Sequence, residues 1–176
     1  LILATAEDAE SRFPVLNLGR EMTTDTGGAG RWRGQPGTCN IKQVLEPASA
    51  MTWMVSRKHP LRGLNGGDDA AAYSNRFLVG TEQEFEVENA LNAQLPAGAI
   101  TRYQYGGGAG FESPLLRDPV AVKEDVLDEY VSIEAARERY GVILTGSIEN
   151  FDLAVDQDKT EDLRRQRLAA KTSDRA

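Results

Sequence analysis

Asp118-Pro119-Val120-Ala121-Val122-Lys123-Glu124-Asp125-Val126-Leu127, then Ser132-Ile133-Glu134-Ala135-Ala136-Arg137-Glu138-Arg139-Tyr140-Gly141, is where the chain changes character. Pro119 suits the first position of a helix, where a missing N–H costs nothing and a fixed φ helps, and Asp118 can cap that end through Leu127. Ser132 predicts the cap of a second helix over Ile133–Tyr140, and Gly141 stands where a left-handed residue closes one. Ile133, Ala136 and Tyr140 share a face at spacings of three and four. Val142-Ile143-Leu144 then reads as a buried strand, and the alternating Phe151–Val155 as its partner. Thr160 predicts the cap of a last helix over Glu161–Lys171. Its acids come first and Arg164, Arg165, Arg167 and Lys171 later, the order a helix dipole favours.

Upstream of this stretch the pattern is different. Phe13–Met22, Thr38–Glu46, Met51–Ser56, Arg76–Val79 and Glu82–Glu88 read as short strands, with Phe85 and Val87 alternating against Glu84, Glu86 and Glu88. Glycine-rich breakers divide them at 27–30, 63–67 and 106–110. Many short strands followed by helices predict an α+β fold: a mainly β domain (sandwich or barrel) over residues 1–110, then a small α/β tail over 111–176.

Composition narrows the chemistry. The formal net charge of −7 argues against nucleic acid, whose phosphates need clustered Lys and Arg. Residues 1–110 carry 10 basic and 12 acidic side chains and the tail 10 and 15, so most of the acidity lies in the tail. One Cys (Cys39) and one His (His59) leave no internal disulfide, no thiolate cluster and no ordinary zinc or iron ligand set. No run reaches the ~20 apolar residues of a membrane span, and the opening Leu1-Ile2-Leu3-Ala4 lacks the form of a signal peptide. The expected location is the cytoplasm, and the start at Leu suggests a processed chain or an absent beginning.

Three segments could carry function. In Asp25-Thr26-Gly27-Gly28-Ala29-Gly30-Arg31-Trp32-Arg33-Gly34, glycines Gly27, Gly28 and Gly30 let backbone approach a ligand, and Arg31 and Arg33 could grip a carboxylate or phosphate. The segment lacks the Lys-Ser/Thr ending of a phosphate loop. The alternative is a long turn whose Trp32 packs in the core while the arginines pair with acids. Tyr105-Gly106-Gly107-Gly108-Ala109-Gly110-Phe111 lacks the spacing of a dinucleotide loop and suits a close crossing or a subunit contact (Gly106, Gly107, Gly108, Gly110). His59, before the Gly66-Gly67 turn, could move a proton, but a lone loop histidine is more often a surface or hydrogen-bonded residue. Asp68 and Asp69 are adjacent and face apart on an extended chain, which weakens them as an acid/base pair.

Taken together, three blocks resemble one family. Glu10-Ser11-Arg12-Phe13-Pro14-Val15 with Asp25–Gly34 looks like the family's E-S-R-[YF]-P-[VL] strand and D-S-G-G-A-G-[RK]-[YWF]-R-G-G loop. Pro60–Gly67 is similar to P-x-G-x-x-G-G, and Gly107–Pro119 to G-G-G-G-[YWF]-G-D-P-L-x-R-D-P. Val122, Asp125-Val126, Val131-Ser132, Glu134-Ala135-Ala136-Arg137 and Tyr140-Gly141-Val142 follow a V-x-x-D-V-x-x-G-x-V-S-x-E-A-A-R-x-x-Y-G-V ending. The family is the hydantoinase B/5-oxoprolinase group, and the match is to its carboxyl-terminal portion. Thr26, Gln35, Ala109, Glu112 and Ser113 depart from the pattern, Glu112 and Ser113 standing where Gly and Asp are usual.

The resemblance implies one piece of a heteromeric, ATP-dependent enzyme. Such an enzyme is a hydantoinase- or oxoprolinase-type cyclic amide hydrolase, or a ketone carboxylase of the acetone or acetophenone type. The implied partners are a hydantoinase-A type subunit and the remaining hydantoinase-B portion, with ATP and a divalent metal bound elsewhere in the complex and none by this chain alone. Asp25, Gly27, Gly28, Gly30, Arg31, Arg33, His59, Gly66, Gly67 and the 106–110 glycines would contact partner chains or wall the active-site cavity. The alternatives are a scaffold module outside the chemistry and a free-standing sugar- or anion-binding β domain.

Overall fold

The computed structural model describes residues 5–52, 57–87 and 91–173. It is an α+β fold of two compact units that are interleaved along the chain. The first takes residues up to Thr23, Gly37–Pro60 and Ala72–Gly106; the second takes Thr24–Pro36, Leu61–Ala71 and Gly107 onward. The last crossing from the first unit to the second falls between Gly106 and Gly107, and two glycine-bearing segments from the strand region also belong to the second unit.

The first unit opens with helix α1 (Ala6–Arg12), whose cap is Thr5, its hydroxyl accepting the Asp8 N–H. Strands β1 (Val15–Thr23), β2 (Gly37–Val44), β4 (Ser74–Phe77), β5 (Phe85–Val87) and β7 (Ile100–Gln104) form an antiparallel sheet of order β1-β2-β7-β4-β5. Strands β3 (Ala48–Thr52) and β6 (Leu91–Leu95) pair as a separate ribbon. Ala48, Ala50 and Leu95 of the ribbon pack with Val44, Phe77, Val87 and Tyr103 of the sheet, making a two-layer apolar core. A buried hydrogen bond from Asn75 to the Thr52 hydroxyl, 3.1 Å long, ties the layers. Residues 53–56 of the expected strand Met51–Ser56, Glu88 of the expected Glu82–Glu88, and Leu1–Ala4 lie outside the described residues.

The second unit holds α2 (Pro119–Leu127), α3 (Ile133–Glu138), the hairpin β8 (Leu144–Thr145) with β9 (Ala154–Val155), and α4 (Gln157–Ser173). Asp118 and Ser132 cap α2 and α3 as their spacing predicts, accepting from Val120 N and Ala135 N. Gly141, at φ 64°, turns the chain so that the Val142 N–H returns to the Ala136 carbonyl. Val122, Val126, Val131, Ala136, Tyr140, Val142 and Leu153 form the core, with Ala29 of the glycine segment buried among them.

The last helix departs from expectation at its start. It begins at Gln157, because Asp156 accepts the Lys159 N–H at 3.1 Å and its carbonyl takes the Thr160 N–H. Thr160 is therefore a buried residue of the first turns, and its hydroxyl accepts the Ile143 N–H at 3.0 Å. No helix among the described residues is long and apolar enough to cross a membrane.

Candidate functional site

The second unit gathers three glycine-bearing segments, 24–36, 61–71 and 107–112. They are joined by backbone hydrogen bonds: Gly28 N to Gly108 O, Gly108 N to Gln35 O, Asp68 N to Ala29 O, Gly110 N to Asp68 O, Leu64 N to Gly110 O and Ala71 N to Thr26 O, all between 2.7 and 3.0 Å. Glycine is required because main chains cross with no room for side chains. A Cβ at Gly34 would lie 1.8 Å from the Gly108 carbonyl oxygen, and one at Gly28 would lie 2.2 Å from that of Asp68. Gly27, Gly30, Gly67, Gly107 and Gly110 are hemmed in by backbone in the same way. In this arrangement the glycines serve chain-to-chain contact within the unit.

Glu112 holds φ 61°, a left-handed conformation that L side chains adopt at a cost. The sequence pattern of the resembling family has glycine there, and the backbone here keeps a glycine's shape. Gly66, in the exposed turn after Asn65, sits at φ 90°. Asp25, at φ 62°, uses its carboxylate to accept the Ser132 N–H at 2.9 Å, fixing the start of α3. Gly106 and His59 belong to the first unit, and His59 is exposed there.

The arginines divide into two kinds. Arg33 places Nε 2.7 Å from Oδ1 of Asp125, and Arg117 places Nε and Nη2 at 2.9 and 2.8 Å from Oδ2. All three side chains are largely buried, the carboxylate being only 7% exposed. The Arg33 guanidinium also stacks over Tyr130, 4.7 Å from the ring centroid, and donates to the Gly34 carbonyl. Arg117 donates to the Arg31 carbonyl, so this one carboxylate ties the arginine loop to α2. Arg139 extends the network, donating to the carbonyls of Asp25 and Gly27 and lying 3.6 Å from the Asp68 carboxylate. Burial pushes the Tyr140 phenol up to about 12, helped by the Asp125 charge and opposed by the nearby Arg117, Arg139 and Arg33. Arg31 is the exposed member. It pairs with Glu112 at 3.2 Å and lies 6.0 Å from the Trp32 ring centroid.

The pairing of both arginines with acids matches one reading of the sequence; the position of Trp32 does not, since its side chain is 63% exposed. The backbone bridge that opposes Trp32 to Phe111 uses up that segment's N–H and C=O and points the indole outward. Asp125, Arg117, Arg139 and Tyr130 are members of the site that sequence reasoning does not find. Asp125 lies 92 positions from Arg33, and a lone Asp inside a helix gives no sign of such a partner.

A cleft of about 340 Å³ lies among Asp68, the Pro114–Leu115 turn, Arg139 and Arg167. Both of its arginines are engaged, Arg139 with Asp68 and Arg167 with the Glu138 carbonyl at 2.6 Å. Among the described residues no three His, Cys, Asp or Glu side chains are placed to hold a metal ion. What the arrangement offers chemically is a stiff loop presenting one guanidinium, Arg31, whose exposed carboxylate partner can be exchanged for another anion.

A family model described as Hydantoinase B/oxoprolinase matches residues 2–114. The beta subunit of caprolactamase from Pseudomonas jessenii is 31% identical over 157 residues, covering 84% of this chain and 26% of that protein. The B component of a putative D-/L-hydantoinase from Pseudomonas sp. strain NS671 is 29% identical over 168 residues, covering 90% and 26%. The nucleotide-free structure of acetone carboxylase superposes with a TM-score of 0.81 at 23% identity, over 97% of this chain and 27% of that one, a likeness of fold. The chain thus spans about a quarter of the length of the curated relatives it matches.

Proposed function

This chain belongs to the hydantoinase B/oxoprolinase family, and from that premise we propose that it acts as the carboxyl-terminal part of a hydantoinase-B-type component in a heteromeric ATP-dependent enzyme. The assembly either opens a cyclic amide or carboxylates a ketone. The chain's part is to wall the cavity and hold the assembly together, while a hydantoinase-A type partner and the rest of the hydantoinase-B component bring the ATP and divalent-metal sites. The observation that carries the reading is one of extent: nearly all of this chain superposes on an acetone carboxylase chain, yet it accounts for 27% of that chain. The buried arginines and packed glycines support a supporting role, because their polar groups are spent on Asp125 and on backbone.

A second reading, a scaffold with no part in the chemistry, is favoured by the same engagement of Arg33. Arg31 separates the two. In the assembled enzyme Arg31→Ala lowers kcat if the loop walls the cavity and leaves it unchanged if the chain only braces the complex. The first test is native mass spectrometry on the complex purified through a tag on this chain, followed by turnover trials with ATP, with and without bicarbonate. Co-purification with hydantoinase-A and hydantoinase-B type chains is the expected result. A lone monomer that also fails to join co-expressed partners would overturn both readings.

A further inference from the structure

Beyond the packed glycines, the same three segments build a surface. Trp32 pairs with Phe111 in an antiparallel bridge, and Leu64 pairs with Phe111 in a parallel one. Directly paired residues on neighbouring extended segments put their side chains on the same face. The three therefore stand in a row, Trp32–Phe111–Leu64, on a backbone fixed by four hydrogen bonds of 2.9–3.1 Å. Trp32 and Leu64 are each 63% exposed and Phe111 39%. Given the ~150–250 Å² that an aromatic side chain can bury, the row leaves on the order of 300 Å² of apolar surface, the lower end of the range for the largest patch on a typical monomer, which is often a functional one. The Arg31–Glu112 ion pair flanks it, an aromatic centre with a charged rim.

We propose that the Trp32–Phe111–Leu64 row is the docking point for the remainder of the hydantoinase-B-type component, the larger part of such a subunit that lies outside this chain. The inference rests on the functional reading above. Area decides against a second copy of this chain: two such rows face to face would bury on the order of 600 Å², well short of the ~1,200 Å² of a stable interface. As the anchor of a wider contact with a larger polypeptide the row is of suitable size and composition. Its rigidity also lowers the entropy lost on docking.

The test uses the full chain in a Trp53→Phe background, so that Trp32 is the reporting indole. The titrant is the hydantoinase-B-type polypeptide of the same genome, truncated before the segment equivalent to this chain. Binding is expected to shift Trp32 emission to shorter wavelength. Trp32→Ala and Leu64→Ser should each weaken binding at least tenfold with an unchanged circular dichroism spectrum, while Phe151→Ser, at another exposed apolar residue, stays within twofold. Leu64→Ser keeps the test decisive if Trp32→Ala misfolds. A complex whose affinity and Trp32 emission ignore these changes overturns the docking point and leaves the functional reading standing. Absence of any complex overturns that reading and this inference with it. Self-association abolished by Trp32→Ala overturns the choice of partner.

Discussion

Replacing Asp125 by Asn keeps the side chain's shape and removes the charge that two guanidiniums share. At about 4 Å and an effective dielectric near 20, each Arg–Asp attraction is on the order of 4 kcal/mol before desolvation. In Asp125→Asn one oxygen can still accept from one arginine, but the amide NH₂ turns donors toward the other. Arg33 and Arg117, whose side chains are 18% and 16% exposed, are then left as like charges with little water to screen them. Stripping one partner from a buried ionic cluster costs roughly 3–5 kcal/mol. For a chain of this length that corresponds to a fall in Tm of about 6–20 °C. The assay is urea denaturation of wild type and variant, read by circular dichroism at low and at 1 M salt. The loss should persist at high salt, because ions do not screen a buried pair. A sharper arm replaces all three residues together, Arg33→Met, Arg117→Met and Asp125→Leu, and should recover much of the loss. A cost below about 1 kcal/mol for Asp125→Asn, or one that vanishes in salt, would refute the argument and reduce the cluster to a surface pair.

Gly34→Ala should destabilise by several kcal/mol or prevent folding, since its Cβ would meet a carbonyl oxygen at 1.8 Å, whereas Gly19→Ala, with nothing within 4 Å, should be neutral or slightly stabilising; comparable urea midpoints for the two would contradict the packing. Glu112→Gly exchanges an exposed ion pair for relief of a left-handed backbone and should leave stability equal or up to about 1 kcal/mol higher, a result checked by the same titration. Tyr140 makes stability depend on alkaline pH. Its folded-state pKa is raised to about 12 from an unfolded value near 10, so its contribution is complete below pH 10 and lost as pH rises toward 12. The size is on the order of 2–3 kcal/mol, at 1.36 kcal/mol per unit. Denaturation at pH 9 and pH 11 should show a steeper fall in wild type than in Tyr140→Phe.

Local signals are legible in the sequence and remote ones are not. Asp118, Pro119, Ser132 and Gly141 act within four residues of themselves, so both ends of α2 and the start of α3 can be read directly, whereas α3 ends at Glu138, before the expected Tyr140. Strand β7 carries no such signal. It lies between β2 and β4, and its Thr101, Arg102 and Gln104 give no apolar alternation; its stability comes from neighbours on both sides. Helix α1 escapes a reading by pattern although Thr5 caps it, because at seven residues it is too short to show a periodic face. The final helix reads as starting late because Thr160 and Asp156 are both cap residues by type, and only the fold shows which hydroxyl is needed elsewhere. At the candidate site the glycines mark the loops, but the Asp125 link depends on a contact across 92 positions.

The interleaving of the two units bears on how the protein is made. Residues 24–36 belong with residues from 107 onward, so during synthesis this glycine segment waits while roughly seventy or more further residues are added. At ~5–20 residues per second the wait is on the order of 4–15 s. For that time Ala29, a future core residue, and the arginine loop are without their partners, and Asp125 has not yet left the ribosome. The first unit has all of its residues once Gly106 has been added, whereas the second must wait for those that follow. A nascent chain stalled before residue 107 would hold the residues of the first unit together with two orphaned segments of the second, 24–36 and 61–71.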